Sequence, residues 1–176
     1  MALQLIEKYY SDVEKSIRYG GTSKESSVRR AFENLLNDYA QKQNLMLIAE
    51  LPYRTPKDKT VIPDGTLKDA LRLDWGYWES KDSSDDLEVE IEKKFKQGYP
   101  SSNILFEDGQ TAILYQRGVE QERCRISDPE NLHQVLTHFT TFTRAEVKHF
   151  RGEIKGSGGN KRVRHLSFCI STLSPL

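Results

Sequence analysis

The chain has 176 residues, of which 36% are hydrophobic and 30% charged, enough for about one globular domain with a core of its own. Its formal net charge is zero, so the overall charge does not indicate a polyanionic partner by itself. The charges are unevenly placed. Residues 79–92 carry seven acids and one lysine, whereas residues 143–165 carry seven basic residues and two acids.

The composition also excludes several classes of protein. No stretch approaches the roughly 20 apolar residues of a membrane span, and the N-terminus is too charged for a signal peptide. Cys124 and Cys169 are the only cysteines and have no CxxC spacing, which excludes a cysteine-based zinc site but leaves one disulfide open. We therefore expect a soluble protein of a reducing cytoplasm, with no membrane partner.

Two helices are predicted at the N-terminus. Apolar residues recur at helical spacing from Leu3 to about Arg18, and Gly20-Gly21 would end that helix. Thr22 or Ser23 can cap a second helix that runs to about Gln43.

Strands are predicted next. Residues 45–51 form a short strand candidate, and Pro52 and Pro56 indicate an irregular link after it. Residues 64–67 and 71–81 are then expected to form the two arms of a β-hairpin with a turn near residues 68–70.

The remaining elements alternate between helix and strand. They are a helix over 84–97 capped by Ser83, strands over 103–106, 111–116 and 124–126, a helix opened by Asp128-Pro129-Glu130, and a further helix over 143–155. This order predicts an α/β fold with a mixed β-sheet flanked by helices. We expect one domain over residues 1–155, with its core at about 22–150, followed by a Gly/Ser-rich and basic tail over 156–176.

The candidate site consists of Pro63-Asp64 and, after fourteen intervening residues, Glu79-Ser80-Lys81. Alternate residues of a strand share a face, so Glu79 and Lys81 should project together, with Trp75 and Tyr77 on the same side. Asp64, at the start of the partner arm, can lie across from the end of that strand. Two carboxylates, a carbonyl and a lysine would suit a hard divalent cation, although an exposed Glu/Lys pair beside a simple turn gives the same pattern.

Other acids nearby are further candidates for the site. Parity places Asp74 on the opposite face from Glu79 unless a bulge intervenes. Glu33, on the second helix, could point a further carboxylate at the cation or simply pair with Arg29 or Arg30. The acids at 82–86 fit better as residues that complement the N-terminus of a helix. The histidines have no metal-binding spacing, and no GxxxxGK[ST], GxGxxG or GxSxG motif occurs.

A longer set of residues surrounds the triplet. It comprises Pro63-Asp64-Gly65-Thr66-Leu67, Gly76-Tyr77-Trp78-Glu79-Ser80-Lys81-Asp82, Asp85-Asp86-Leu87, Glu90-Ile91, Lys94-Phe95, Gly98-Tyr99-Pro100 and Asn103-Ile104-Leu105-Phe106-Glu107-Asp108, preceded by Thr22-Ser23, Ser27, Arg30, Phe32-Glu33 and Leu35-Leu36. Over about residues 20–150 this set resembles the N-terminal nuclease domain of type ISP and type IIG single-chain restriction-modification enzymes, a Mrr-like PD-(D/E)xK nuclease.

The resemblance implies a restriction-endonuclease-like fold and Mg²⁺-dependent hydrolysis of DNA, with Mn²⁺ as a plausible substitute. Asp64, Glu79 and the Ser80 carbonyl would hold the cation, Lys81 would be the catalytic lysine, and Glu33 would match a helix glutamate that some such nucleases use. One site cuts one strand, so a double-strand break implies two domains or two encounters.

Two departures from the family pattern bear on function. The translocase, methyltransferase and target-recognition domains of full-length enzymes are absent from these 176 residues, and the tail from about Lys155 does not match. A truncated or frameshifted end and a fragment boundary both remain open. The alternative function is a non-catalytic DNA-binding module on a nuclease-like scaffold.

Overall fold

The computed structural model of the chain describes residues 2–20 and 25–143. The helices are α1 (Ala2–Gly20), α2 (Glu25–Lys42), α3 (Leu87–Gln97) and α4 (Pro129–Thr140). The strands are β1 (Met46–Ala49), β2 (Tyr53–Arg54), β3 (Thr60–Val61), β4 (Gly65–Lys68), β5 (Asp74–Ser80), β6 (Asn103–Glu107), β7 (Thr111–Gln116) and β8 (Val119–Arg125).

One six-stranded mixed sheet organises these elements. Its strand order is β1-β4-β5-β6-β7-β8, and β2 pairs with β3 in a separate small hairpin. Within the large sheet β5 and β6 run parallel, whereas the other neighbours are antiparallel. The connection between β5 and β6 passes through α3, as a parallel pair requires.

The two faces of the sheet are covered by different helices. Side chains of α1, α2 and α4 pack with one set of strand residues that includes Trp78 and Leu105. Leu87 and Ile91 of α3 pack with the other set, which includes Ile104 and Phe106. The alternation along β6 is the two-residue period of a strand buried on both faces.

Most predicted elements are confirmed, but one hairpin was not predicted and three bounds differ. The strand predicted over 124–126 spans Val119–Arg125, the hairpin arm predicted from residue 71 begins at Asp74, and the helix predicted from residue 84 begins later. The segment after Pro52, predicted as an irregular link, contains the β2–β3 hairpin. The helix after the site begins at Leu87 and not at residue 84, because the Asp86 side chain accepts from the Glu88 and Val89 N–H groups and caps it. Gly98 ends α3 in the left-handed region at φ 97°, where glycine carries no steric penalty.

Two predicted segments lie outside the described residues. They are the helix over 143–155 and the tail over 156–176. The described residues belong to one compact unit that ends at Thr143, so the domain limit at residue 155 remains a prediction. In the described part of the chain, no helix is long and apolar enough to cross a bilayer.

A β-bulge at the start of β5 changes the face of the sheet to which the side chains there point. Lys68 pairs with Asp74 and Leu67 with Gly76, so the register shifts by one residue between them. Trp75 therefore packs against the α1, α2 and α4 side, which corrects the prediction that it shares a face with Tyr77 and Glu79. A bulge places two residues opposite one, and the strict two-residue period fails there.

Candidate active site

The C-terminal end of β5 brings the predicted site residues to one edge of the sheet. Gly65 of β4 pairs with Trp78 of β5, and continuing this register by one residue places Asp64 across from Glu79. The Asp64 Oδ2 atom accepts a hydrogen bond of 2.8 Å from the Ser80 N–H group. Asp64 is therefore bound to the backbone of the triplet itself, one peptide beyond Glu79.

Asp64 is also held by an arginine from α2. Arg29 Nη2 donates to Asp64 Oδ1 at 2.8 Å, and its guanidinium lies over the Trp78 ring at 5.9 Å from the centroid. The Asp64 side chain is 18% exposed, so this is a partly desolvated ion pair. Each oxygen of Asp64 thus has one protein donor, Arg29 from α2 and the Ser80 backbone.

Glu79 is the more deeply buried of the two predicted carboxylate ligands. Its side chain is only 3% exposed, and its Oε1 atom accepts from Lys81 Nζ at 2.9 Å and from Lys94 Nζ of α3. Within the described residues, its Oε2 atom is buried and has no hydrogen-bond partner. An unpaired polar atom away from water costs on the order of 1–3 kcal/mol, and more where the group is charged, so a ligand bound to this oxygen would relieve that cost.

Lys94 and Tyr99 complete this side of the site. Lys94 Nζ donates to the Tyr99 hydroxyl at 3.0 Å and lies 4.5 Å from the centroid of its ring. The hydroxyl in turn donates to the Ile62 carbonyl at 3.1 Å, two residues before Asp64. Burial, together with the Glu79 carboxylate, raises the pKa of Tyr99 to about 12, so the phenol keeps its proton and remains a donor.

Glu107 supplies a second buried acid, on the opposite face of the sheet from Glu79. Ser80 pairs with Glu107 in the parallel register, and the Lys81 N–H donates to the Glu107 carbonyl at 2.7 Å. The Glu107 side chain accepts from the Gly109 N–H at 2.8 Å through Oε2, whereas Oε1 has no partner among the described residues. Burial raises the pKa of Glu107 to about 7, while the nearby Ser80 side chain and the Gly109 N–H act in the opposite direction.

The other candidate acids, Asp74, Asp86 and Glu33, make no hydrogen bond or ion pair with Asp64 or Glu79 among the described residues. Asp74 pairs with Lys68 and accepts from the Tyr77 hydroxyl at 3.0 Å. Asp86 caps α3, which confirms its predicted structural role. Glu33 is partly buried on α2, one helical turn after Arg29, and in the described part of the chain it makes no hydrogen bond or ion pair with Asp64 or Glu79. Its part in catalysis stays a prediction.

Sequence reasoning missed four residues around the triplet, which are Arg29, Lys94, Tyr99 and Glu107. Arg29 and Lys94 reach the site from helices whose docking depends on the whole sheet. Glu107 did carry a local sign of its position, because an acid directly after the apolar run Ile104-Leu105-Phe106 is a candidate for a buried charge. In the sequence, the Gly98-Tyr99-Pro100 turn indicates only the end of a helix, and it does not predict that Tyr99 contacts Lys94.

The donor atoms are compatible with a hard cation, but they do not form a ready-made protein cage. Among the described residues, no group of three or more His, Cys, Asp or Glu side chains could hold a metal ion. Mg²⁺ commonly takes one or two carboxylates and completes its shell with waters and substrate phosphate. The buried, unpartnered Glu79 Oε2 and the nearby Asp64 fit that mode of binding.

Comparisons with known proteins bear on the fold. No family model and no curated protein matches the sequence. A cryo-EM structure of a DrdV–DNA complex matches with 46% identity and a TM-score of 0.78 over 81% of this chain, and the match spans 14% of the DrdV chain. A crystal structure from Anabaena variabilis ATCC 29413, of a protein proposed to be a DUF820 nuclease, is 14% identical with a TM-score of 0.46, over 64% of this chain and 82% of that one.

The predicted fold class is confirmed by the architecture and by the first of these matches. A six-stranded mixed sheet carries helices on both faces, and the candidate residues lie at the end of its central strands. The chain has a restriction-endonuclease-like α/β fold.

Proposed function

We propose that this chain is a nuclease module that hydrolyses DNA phosphodiester bonds with the help of a divalent cation, Mg²⁺ or Mn²⁺. One observation carries the proposal. The Asp64 carboxylate accepts from the Ser80 N–H while Glu79 and Lys81 form an ion pair, so Asp64, Glu79 and Lys81 all lie at the C-terminal end of β5.

The case for DNA as the substrate rests on likeness and on charge. The DrdV structure, with which this chain shares 46% identity over most of its length, is a complex with DNA. Arg29, Lys81 and Lys94 bring three cationic groups to the two carboxylates, and such groups suit a phosphate backbone. Sequence recognition would need other residues, because phosphate contacts carry no base information.

The roles follow from the donor set. Asp64, Glu79 and the Ser80 carbonyl would hold the cation. When bound, it would polarise the scissile phosphate and lower the pKa of a bound water. Lys81, held by Glu79 at 2.9 Å, would orient that water or take part in moving its proton. Glu33 would be an accessory carboxylate from α2.

The wider context is also part of the proposal. This chain would be the nuclease module of a single-chain restriction-modification enzyme with a Mrr-like PD-(D/E)xK site, acting in the cytoplasm. Translocase, methyltransferase and target-recognition domains would belong to the complete enzyme, since the chain spans 14% of the DrdV chain it matches. A double-strand break would need two such modules that meet transiently, or two encounters of one module with the DNA.

Nicking of supercoiled plasmid DNA tests this function. We expect the purified chain to convert the plasmid to open circles with Mg²⁺ or Mn²⁺ and to stop when EDTA is added. Asp64→Asn, purified in the same way, controls for contaminating nucleases, and Asp58→Asn controls for loss of an acid at an exposed ion pair with Arg54. Cleavage that persists in EDTA, or equally in Asp64→Asn, would contradict the proposal.

A second function is favoured by one specific observation. Both Asp64 oxygens and the Glu79 Oε1 atom already have protein donors, as expected of a site that holds itself together without a cation. The chain would then bind DNA without cutting it. Salt-dependent DNA binding by a folded chain that never nicks the plasmid would identify this case.

A further inference from the structure

We infer that Lys94 is a second lysine of the candidate site and that it competes with a divalent cation for the Glu79 carboxylate. The inference rests on the proposed function, because it assumes that Glu79 is a cation ligand. Lys94 would be a positioning residue: it holds Glu79 before the cation arrives and yields that carboxylate when the cation binds.

The first step in the argument is the charge balance around Glu79. Two ammonium groups, from Lys81 and Lys94, contact the single Oε1 atom of a carboxylate whose side chain is 3% exposed. Both lysine side chains are themselves only 15% exposed. A buried carboxylate needs about one compensating charge, so the second ammonium adds positive charge where a divalent cation would have to bind.

The second step distinguishes the two lysines by their other partners. Lys81 follows β5 directly, and its nearest other acid is Glu90, at 3.9 Å. Lys94 has a second, uncharged partner in Tyr99, because its Nζ atom donates to the Tyr99 hydroxyl and lies over the Tyr99 ring. A cation–π contact at a partly desolvated site supports an ammonium group without a carboxylate. Lys94 therefore keeps two contacts with Tyr99 when it releases Glu79.

The third step connects Lys94 to the other predicted ligand. Tyr99 is buried, and its hydroxyl donates to the Ile62 carbonyl just before Pro63-Asp64. The same phenol thus anchors Lys94 and the segment that carries Asp64. Whether Lys94 contacts Glu79 therefore depends on the position of α3 and of Tyr99 in the turn after it.

These contacts predict that removing the Lys94 charge strengthens cation binding. A unit positive charge a few ångströms from a divalent cation opposes its binding strongly at the effective dielectric of a partly buried site. We expect Lys94→Met to bind Mn²⁺ with a Kd at least about fivefold lower than the unchanged chain. Lys94→Gln, which keeps a donor for Glu79 and Tyr99 without the charge, should show the same tightening.

Calorimetric titration of Mn²⁺ without DNA tests this, with folding checked by circular dichroism. The matched control is Lys96→Met, which removes the same charge from the exposed Lys96–Glu92 pair on α3 and should stay within about twofold of the unchanged chain. A Kd for folded Lys94→Met and Lys94→Gln that equals or exceeds that of the control would overturn the inference.

Glu79→Gln separates this failure from failure of the proposed function. If Glu79→Gln loses Mn²⁺ binding and the Lys94 variants do not tighten it, the cation site stands and the competition does not exist. If Glu79→Gln binds Mn²⁺ as well as the unchanged chain does, Glu79 is not a ligand, and both the proposed site and the role of Lys94 are wrong.

Discussion

Lys81→Met is expected to slow DNA cleavage by about 10²–10⁴-fold, the range that a positioned proton-transfer group contributes. The Lys81 ammonium lies 2.9 Å from Glu79 Oε1 in a side chain that is 15% exposed, and in the proposed mechanism it acts on the attacking water from this position. Methionine keeps the apolar stem and removes only the charge and the donors. Lys94 still compensates Glu79, and the fold should therefore survive.

The measurement is the initial rate of plasmid nicking in Mg²⁺, with the melting temperature of each variant recorded beside it. Lys57→Met is the matched control, because Lys57 is exposed in the segment between β2 and β3. This variant should cleave DNA at the rate of the unchanged chain. A folded Lys81→Met that nicks DNA within a few-fold of the control would remove Lys81 from the reaction.

The second large effect concerns Glu107 and the dependence of stability on pH. Burial raises the pKa of this acid to about 7, and the carboxylates of Asp108 and Asp64 act in the same direction. Because the folded-state pKa lies above the unfolded one, the stability that Glu107 contributes is complete below about pH 4.5 and is lost as the pH rises through about 7. A shift of this size corresponds to about 3 kcal/mol.

Urea unfolding in EDTA between pH 5 and pH 8 tests this effect. Glutamine at position 107 keeps the shape and cannot ionise, so the free energy of unfolding of Glu107→Gln should gain up to about 3 kcal/mol relative to the parent on going from pH 5 to pH 8. Glu92→Gln, at an exposed pair with Lys96, should leave the pH profile unchanged. Parallel profiles for Glu107→Gln and the parent would mean that Glu107 titrates as an ordinary carboxyl.

Local pattern was enough to predict most of the fold. The spacing of apolar residues predicts α1, α2, β1, the β4–β5 hairpin, the β6–β7 pair and α4. Each of these elements buries one face, so its own residues carry the helical or strand period. The predicted hairpin places Asp64 beside the end of β5 if its arms are in register, and they are in register from Gly65 to Leu67, beyond the bulge. This part of the site needs only neighbouring strands.

The rest of the site could not be predicted because it depends on contacts between distant elements. Lys94 and Arg29 look like ordinary helix charges in the sequence, and only the docking of α3 and α2 on opposite faces brings them to Glu79 and Asp64. The bulge near Lys68 likewise turned Trp75 to the other face, which no count of alternating residues shows. Ser83 is the predicted cap of this helix, whereas Asp86 caps α3 in the structure. Both residue types are good caps, so the local sequence does not decide between them.

The most direct test of the central claim is a crystal structure of the chain soaked in Mn²⁺, with anomalous scattering used to locate the ion. The proposed site predicts a peak at about 2 Å from an oxygen of Asp64 and from the Glu79 Oε2 atom, the distance typical of a small hard cation and its carboxylate ligands. A peak bound to other residues, or none at a Mn²⁺ concentration that supports cleavage, would contradict the account.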